Sequence, residues 1–263
     1  MGDVGDVFDA GQDEFAVLGP VLWDPIGAAT VAEAAVGPGE RVLDVCCGAG
    51  ASAIPAARAV GPGGHVDAVD LADRLLAQGR RRAAELPQLR FTHADATQWD
   101  GSGYDVVQCV FGVFFLPAMD EACARLASLA KPGGRFVVTT WDEHAISPVP
   151  EILGEAVTDA GGAPQASSGR RLGARIDTAE KLGAWLSWLG LTDVRVTTVE
   201  HSMPLDDTTS WAIVMGSAMR MRLAGVAEST LPRVRARFVE LLRARKVDRM
   251  NAVSLIGIGR TAQ

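Results

Sequence analysis

The residues Arg41-Val42-Leu43-Asp44-Val45-Cys46-Cys47-Gly48-Ala49-Gly50 form a short apolar run that contains one acid and ends in glycines. Such a run is typical of a buried strand that enters a tight turn. Glycine at positions 48 and 50 lets the backbone adopt a positive φ and approach a ligand closely. The run 51–58 predicts a helix, with Pro55 tolerated in its first turn. A strand, a glycine turn and a helix N-terminus together predict a site for the polar part of a nucleotide-like ligand.

The composition limits the class of protein. A chain of 263 residues with 48% hydrophobic residues fits one α/β domain with additions, which we expect to span residues 1–263. Its runs of apolar residues are shorter than eighteen and its N-terminus is acidic, so we expect no membrane span, no signal peptide and a cytoplasmic protein. The net charge of −7 argues against a nucleic-acid partner. The four cysteines lack the spacing of a metal site, so we expect no metal.

The remaining segments alternate between strand and helix patterns. Strands are predicted at 41–45, 65–70, 89–96, 104–110, 135–141, 194–199 and 252–258, with helices at 73–84, 117–130, 148–160, 178–189, 207–222 and 231–248. This alternation predicts parallel crossover units and a doubly wound sheet covered by helices. Residues 1–35 are expected to form two short helices that act as a lid, with Asp24 as a helix cap and Pro25 at the first helical position. Residues 161–177 predict a mobile loop.

Three acids fall at or near predicted strand ends, where ligands of such sheets bind. They are Asp44, Asp70 and Asp95. Asp70 follows Gly50 by twenty residues, where a carboxylate can accept both hydroxyls of an adenosine ribose. The run 48–53 also fits a loose nicotinamide fingerprint, which leaves an oxidoreductase as an alternative. Asp44, inside the first strand, counts against that alternative because it would repel a pyrophosphate.

The segment 42–50 resembles the first motif of the class I S-adenosylmethionine-dependent methyltransferases. Supporting motifs are Asp70, Ala94-Asp95-Ala96, Tyr104-Asp105-Val106-Val107 and Leu129-Ala130-Lys131-Pro132-Gly133-Gly134-Arg135. The segments 110–117 and 139–141 are similar to the branch that contains ubiquinone- and menaquinone-biosynthesis and natural-product methyltransferases. The resemblance covers residues 38–141 as the cofactor-binding core. It implies a Rossmann-like seven-stranded sheet with the last strand antiparallel, and leaves residues 142–263 for substrate-side helices and the last two strands.

The resemblance also implies cofactor contacts for S-adenosylmethionine. It places Gly48 and Gly50 along the methionine portion and Asp44 near the ammonium group. Asp70 would bind the ribose, with Leu71 beside the adenine. The remaining expected contacts are Asp95 to the adenine amino group, the Ala96 backbone to the ring, and the Val110 backbone to the methionine amine. Cys46 is also expected among the cofactor-binding residues, although it departs from the family pattern, which has glycine at that position.

The chemistry of methyl transfer suggests further site residues. A hydroxyl acceptor usually needs a base within hydrogen-bond reach, and His144 and Asp142, which follow the fifth strand, are the candidates. An aromatic substrate pocket is expected, with Arg220 placed to meet an acidic group of the substrate. Its expected members are Phe15, Trp23, Phe111, Phe114, Trp141, Trp211 and Arg220.

We therefore expect methyl transfer to an O, N or C atom of a small, largely apolar or aromatic metabolite of bacterial secondary or quinone metabolism. We expect the protein to be a monomer or homodimer. The alternatives are a nicotinamide-dependent oxidoreductase and a methyltransferase fold used for something else, either cyclisation or rearrangement without methyl transfer or a non-catalytic binding module.

Overall fold

The computed structural model describes residues 4–163 and 172–263. Its main sheet has seven strands in the order β3-β2-β1-β4-β5-β9-β6. Their bounds are β1 Arg41–Val45, β2 His65–Asp70, β3 Leu89–His93, β4 Tyr104–Val110, β5 Ala130–Trp141, β6 Thr192–Val199 and β9 Ser254–Arg260. The predicted doubly wound α/β fold is confirmed.

The strand directions place a crevice between β1 and β4. Strands β1 to β5 pair in parallel, whereas β9 pairs antiparallel with both β5 and β6. The predicted antiparallel last strand is thus confirmed. Chain order runs outward from β1 to β3 on one side and from β4 onward on the other, so the order reverses between β1 and β4. Ligands of open α/β sheets bind at the carboxyl ends of the strands beside such a reversal.

Helices cover both faces of the sheet and its carboxyl edge. The helices are α1 Val4–Asp9, α2 Gln12–Leu18, α3 Trp23–Glu33, α4 Ala53–Val60, α5 Asp73–Arg82, α6 Met119–Ala127, α7 Val149–Asp159, α8 Ala179–Trp188, α9 Thr209–Met215 and α10 Leu231–Ala244. One sheet face buries Val42, Val66 and Val137 against α3 and α4. The other buries residues such as Leu43 and Val107 against α6 and α8. Alternate strand residues point to opposite faces, so both faces being covered explains the continuous apolar runs of β1 and β4.

A third apolar cluster joins the N-terminal helices to α7, α9 and α10. It also contains Met203 and Met250 from a two-stranded ribbon of β7 Ser202–Pro204 and β8 Arg249–Asn251. The sequence pattern did not predict this ribbon, because each strand has only three residues and lies next to a longer element. The ribbon connects the end of β6 to the start of β9.

The N-terminal segment contains α1, α2 and α3 with a 3-10 helix at Gly19–Val21, in place of the two helices expected. Leu22 takes the N-cap position of α3, so Asp24 lies inside the first turn and the expected cap at Asp24 is wrong. The Asp24 carboxylate instead accepts two hydrogen bonds of 2.8 Å from Arg82 of α5. This pair ties α3 to the core.

Two further boundaries differ from the sequence pattern. Strand β3 ends at His93, and Asp95 caps a 3-10 helix at Ala96–Gln98, because its carboxylate accepts from Thr97 N at 2.8 Å. Strand β5 begins at Ala130, where it pairs with Tyr104, and continues through the Pro-Gly-Gly segment with a register shift. Residues 164–171 of the mobile loop predicted at 161–177 lie outside the described residues.

In the described ranges no single helix is long and apolar enough to cross a membrane. The bent pair Gln12–Val21 and Trp23–Glu33, with 58° between its halves, meets that test by length and composition only.

Helices α1 and α2, which we call the lid, pack against α9 through two glycines. A Cβ added to Gly216, just after α9, would lie 2.4 Å from Phe15 N. A Cβ added to Gly11, just before α2, would lie 2.1 Å from Met215 O. The lid can hold this position only because neither residue has a side chain.

We therefore expect Gly216→Ala to displace α2 and to lower the free energy of unfolding by roughly 1–3 kcal/mol, as overpacking does. Denaturant unfolding measures the change. Gly63→Ala is the matched control, since a Cβ at Gly63 would meet no atom within 4 Å. Equal stability of the two variants would contradict the close contact between α2 and α9.

Candidate functional site

The turn after β1 adopts left-handed backbone angles at three positions. The φ values are 56° at Cys46, 51° at Gly48 and 84° at Gly50. Glycine adopts such angles without strain, whereas a residue with a Cβ pays about 1 kcal/mol or more. Cys46 therefore carries a backbone strain that the glycine of the family pattern would avoid.

The side chain of Cys46 packs against Gly112 and Cys109. A Cβ added to Gly112 would lie 2.5 Å from Cys46 Cβ and 2.7 Å from Cys109 Sγ. A hydrogen bond with the Cys109 thiol, together with burial, raises the pKa of the Cys46 thiol well above its usual value. Cys46 is thus a neutral packing residue, and all four cysteines are free thiols.

Asp70 joins the end of β2 to the glycine turn. Its Oδ2 accepts from Gly48 N at 2.8 Å, and its Oδ1 accepts from Ala72 N at 2.8 Å. Burial raises the pKa of the Asp70 carboxyl, and the two backbone donors partly offset that effect. Leu71, the next residue, is 38% exposed. Asp70 therefore fixes the turn while its remaining lone pairs stay available to a ligand.

Asp44 lies in a polar cluster beneath α3 and α4. It is fully buried, and its Oδ2 accepts from the Ser52 hydroxyl at 2.7 Å. Its Oδ1 and the whole side-chain amide of Gln108, its register partner on β4, have no hydrogen-bond partner among the described residues. Burial raises the pKa of Asp44 to about 7, an effect that the Ser52 hydroxyl and the neighbouring Gln108 side chain partly offset, although the Gln108 amide lies outside hydrogen-bond geometry. An unpaired buried carboxylate oxygen favours a neutral carboxyl until a cation approaches.

The other expected cofactor contacts lie along the same edge of the sheet. Asp95 is exposed and caps the 3-10 helix, and Ala96 behind it is buried. Val110 is the last residue of β4 and is partly exposed. Phe111 follows with a positive φ of 56° and donates its backbone N–H to Thr139 O at 2.9 Å.

The structure gathers four of the expected pocket aromatics into one group, which we call the ring cluster. Phe15 stacks on Trp23 with centroids 5.3 Å apart, and Phe111 stacks on Trp141 at 4.0 Å. Trp23 joins the two pairs, with its ring centroid 6.0 Å from that of Phe111 and 6.3 Å from that of Trp141. A Cβ added to Gly48 would lie 3.3 Å from Phe15 Cζ, so the ring cluster adjoins the glycine turn.

Three other expected pocket residues lie outside the ring cluster. Phe114 is buried and packs edge-on against Phe115, with centroids 4.8 Å apart. Trp211 on α9 packs near Phe238 of α10, 6.2 Å away. Arg220 lines a separate cavity of about 450 Å³ together with residues of α1, α9 and the segment 221–231.

The two base candidates lie on the loop after β5. The His144 side chain is 77% exposed, and its Nδ1 is 3.9 Å from Asp142 and 3.8 Å from Glu143 on the same loop. The Asp142 carboxylate accepts from His144 N at 2.9 Å and so stabilises the loop. Both remain predictions as catalytic groups, and the exposure of His144 does not favour a base that works in a dry site.

Sequence reasoning missed three residues that shape the site. Arg82 donates to Ala49 O at 3.0 Å as well as to Asp24, so it links the glycine turn to α3. Phe8 extends the aromatic contacts from Phe15, 6.4 Å away, to Phe115, 5.8 Å away. No local pattern distinguishes Arg82 from the neighbouring arginines of α5, whereas Phe8 and Phe115 were recognisable as apolar residues near the site.

Comparison with known proteins agrees with this geometry. Residues 42–134 match the family model described as a methyltransferase domain. The chain is 33% identical over 141 residues to aklanonic acid methyltransferase DauC of a Streptomyces species, covering 52% of this chain and 64% of that protein. It is 33% identical over 152 residues to demethylmenaquinone methyltransferase of Clavibacter sepedonicus, covering 57% of this chain and 58% of that protein.

An uncharacterised protein of Mycobacterium tuberculosis is 34% identical over 131 residues, 49% of this chain and 47% of that protein. The chain thus matches about half the length of such curated relatives. Among solved structures, the YcgJ protein of Bacillus subtilis has a TM-score of 0.56 at 15% identity, covering 90% of this chain and 98% of that one. That likeness concerns the fold.

The raised pKa of Asp44 predicts a pH-dependent stability. Between pH 4 and pH 7 the Asp44 carboxyl is protonated in the native state, whereas in the unfolded state, where its pKa is 3.8, it has released that proton. The contribution of Asp44 to the free energy of unfolding therefore falls as the pH rises through this range. Asp44→Asn removes this titrating group. Relative to wild type, we expect its free energy of unfolding to increase between pH 4 and pH 7 with a slope of about 1.4 kcal/mol per pH unit.

Denaturant unfolding at both pH values measures this difference. Asp193→Asn is the control, because the Asp193 side chain is 77% exposed. The same wild-type-to-variant difference at both pH values would show that the Asp44 carboxyl is not protonated in the native state.

Proposed function

We propose that this chain is a class I methyltransferase, as the match of residues 42–134 to the methyltransferase-domain model supports, and that it transfers a methyl group from S-adenosylmethionine to a small apolar or aromatic metabolite. The observation that carries the proposal is the hydrogen bond between Asp70 and the glycine turn, which puts a carboxylate beside the backbone cradle. Secondary or quinone metabolism is the proposed setting, supported by two relatives whose names refer to aklanonic acid and demethylmenaquinone.

The residues present fit this cofactor. The glycines at 48 and 50 let the turn adopt left-handed backbone angles without strain. The unpaired Asp44 Oδ1 offers negative charge toward a cationic ammonium group, and no phosphate is required. Each Asp70 oxygen accepts one backbone N–H, which leaves lone pairs for ribose hydroxyls. We assign Leu71, Asp95, Ala96 and the Val110 backbone to the adenine and methionine ends as expected from the family pattern.

The bound cofactor supplies an electrophilic methyl group, and the chain's own residues position and shield the acceptor. Transfer from a sulfonium is an in-line displacement with dispersed charge, so orientation in a dry pocket supplies much of the rate. Phe15 from α2 covers the glycine turn, and the ring of Trp23 from α3 stacks on the ring of Phe15. Together the two rings exclude water from the space above Gly48. Phe111 and Trp141 form the opposite wall, and Phe114, Trp211 and Arg220 remain proposed outer pocket residues.

A nicotinamide-dependent oxidoreductase is not favoured. The buried Asp44 carboxyl lies behind the glycine turn, where a pyrophosphate would need positive partners. Cyclisation or rearrangement on the same fold would use the same cofactor site and would differ in its product, which gains no methyl group.

Asp70 is the most direct test of the cofactor site. We expect Asp70→Asn to weaken S-adenosylhomocysteine binding by about tenfold or more, because charge-assisted hydrogen bonds to the ribose are lost. Calorimetry measures the affinity, and circular dichroism checks that the variant is folded. Asp193→Asn should bind as wild type does. Wild-type affinity in Asp70→Asn would remove Asp70 from the ribose role.

His144 tests whether the chain supplies a base. Because its side chain is 77% exposed, we expect His144→Ala to turn over a hydroxyl substrate within about twofold of wild type. A general base contributes about 100-fold or more, so a loss of that size would establish His144 as the base. Asp142→Asn, measured in parallel, separates a base at Asp142 from the loop contact that it makes with His144 N.

A further inference from the structure

Trp23 holds a hydrogen-bond donor that the rest of the described chain does not use. Its Nε1 is shielded from solvent and has no partner among residues 4–163 and 172–263. Two other indoles are paired: Trp99 Nε1 donates to Tyr104 Oη at 3.0 Å, and Trp185 Nε1 donates to Asp120 Oδ1 at 2.8 Å. Buried indole N–H groups normally find a partner, so an unpaired one at a candidate site indicates a ligand atom.

The surroundings of Trp23 offer aromatic faces. The rings nearest to it belong to Phe15, Phe111 and Trp141, at centroid distances between 5.3 and 6.3 Å. The two phenylalanines have no acceptor atom in their side chains, and an indole is a donor only. These flat walls suit a planar conjugated ring, which stacks on aromatic faces with ring centroids separated by about 4.5–7 Å.

Trp23, which carries this donor, adjoins the glycine turn through Phe15. Phe15, which stacks on Trp23, reaches the position of a Gly48 Cβ to within 3.3 Å. Trp23 begins α3, which is fixed to the core by the Asp24–Arg82 pair and by a 2.7 Å hydrogen bond between the Thr30 and Thr139 hydroxyls. The indole is therefore presented from a fixed helix, whereas Phe15 belongs to the lid.

We propose that the Trp23 Nε1–H donates to an oxygen of the methyl acceptor, and that this acceptor is a planar conjugated ring system bearing a carbonyl or phenol oxygen. The proposal rests on the proposed function and makes Trp23 a specificity residue, since it distinguishes an oxygenated ring from a hydrocarbon of the same shape. A site built around a hydrogen bond rejects the analogue that lacks the partner atom, because the donor is then left unpaired.

One competing arrangement is internal to the protein. The Phe111 ring is inclined at 63° to that of Trp23, so the N–H could point at an aromatic face instead of at a ligand. In that case the oxygen of a ligand would gain nothing from Trp23.

Two probes of nearly equal shape separate these arrangements. 2-Acetylnaphthalene carries a carbonyl oxygen, and 2-isopropenylnaphthalene has a CH2 group at the same position. The affinity of each for the full-length protein saturated with S-adenosylhomocysteine is measured by equilibrium dialysis. We expect wild type to bind the ketone about fivefold more tightly than the alkene, as one net hydrogen bond provides.

In Trp23→Phe, which keeps an aromatic ring and removes the N–H, the ratio should fall to about one. Trp188→Phe is the control, since the Trp188 side chain is 69% exposed, and it should keep the wild-type ratio. A wild-type ratio of one, or an unchanged ratio in Trp23→Phe, would overturn the proposal. Failure to bind S-adenosylhomocysteine would instead overturn the proposed function.

A second measurement covers the case in which Trp23→Phe does not fold. In wild type labelled with ¹⁵N-indole tryptophan, the Trp23 N–H proton resonance should move downfield with the ketone and not with the alkene. Its assignment follows from single Trp→Phe variants at the other five tryptophans. A Trp23 resonance that responds equally to both probes would contradict the hydrogen bond.

Discussion

The hydrogen bond from Gly48 N to the Asp70 carboxylate connects the two strand ends on which the candidate site is built. It joins the turn after β1 to the end of β2, and a second bond from Ala72 N fixes the same carboxylate at the start of α5. The turn can reach Asp70 only because Gly48 and Gly50 adopt left-handed angles, as does Cys46 at a cost in strain. A cofactor that binds here meets a backbone whose shape is already set.

The N-terminal helices turn this open crevice into an enclosed site. Residues 4–18 lie over the glycine turn, held by Arg74 N to Asp9 at 2.9 Å and by the glycine contacts with α9. Phe15 Cζ lies 3.3 Å from the position that a Gly48 Cβ would take, so a cofactor bound at the turn would contact the lid through Phe15. We propose that the cofactor enters by displacement of α2, whereas α3 and the ring of Trp23 are held by the core. On this proposal Phe15 closes the site and Trp23 selects the substrate.

The sheet was predictable from the sequence because each strand has its own apolar run and turn, and Asp70 and the glycines were recognisable by spacing. The deviations have physical causes. Asp24 pairs with Arg82, a contact between residues 58 positions apart that no local pattern indicates. Asp95 caps a 3-10 helix because the strand ends at His93. His144 and Asp142 were predicted as bases because they follow a strand, and that position in the sequence gives no information on how exposed their side chains are. The ring cluster was predicted in part, since aromatic residues before β1 and after β4 and β5 must meet at one edge of the sheet.

We propose that the turn at 46–50, with Asp44 and Asp70, accepts a cofactor with a cationic amino-acid end and a ribose, without phosphate. The most direct measurement is a calorimetric titration of the wild-type chain with S-adenosylhomocysteine and, separately, with NADH at pH 8. We expect saturable one-to-one binding of S-adenosylhomocysteine and no heat of binding for NADH. Binding of NADH with no binding of S-adenosylhomocysteine would contradict it.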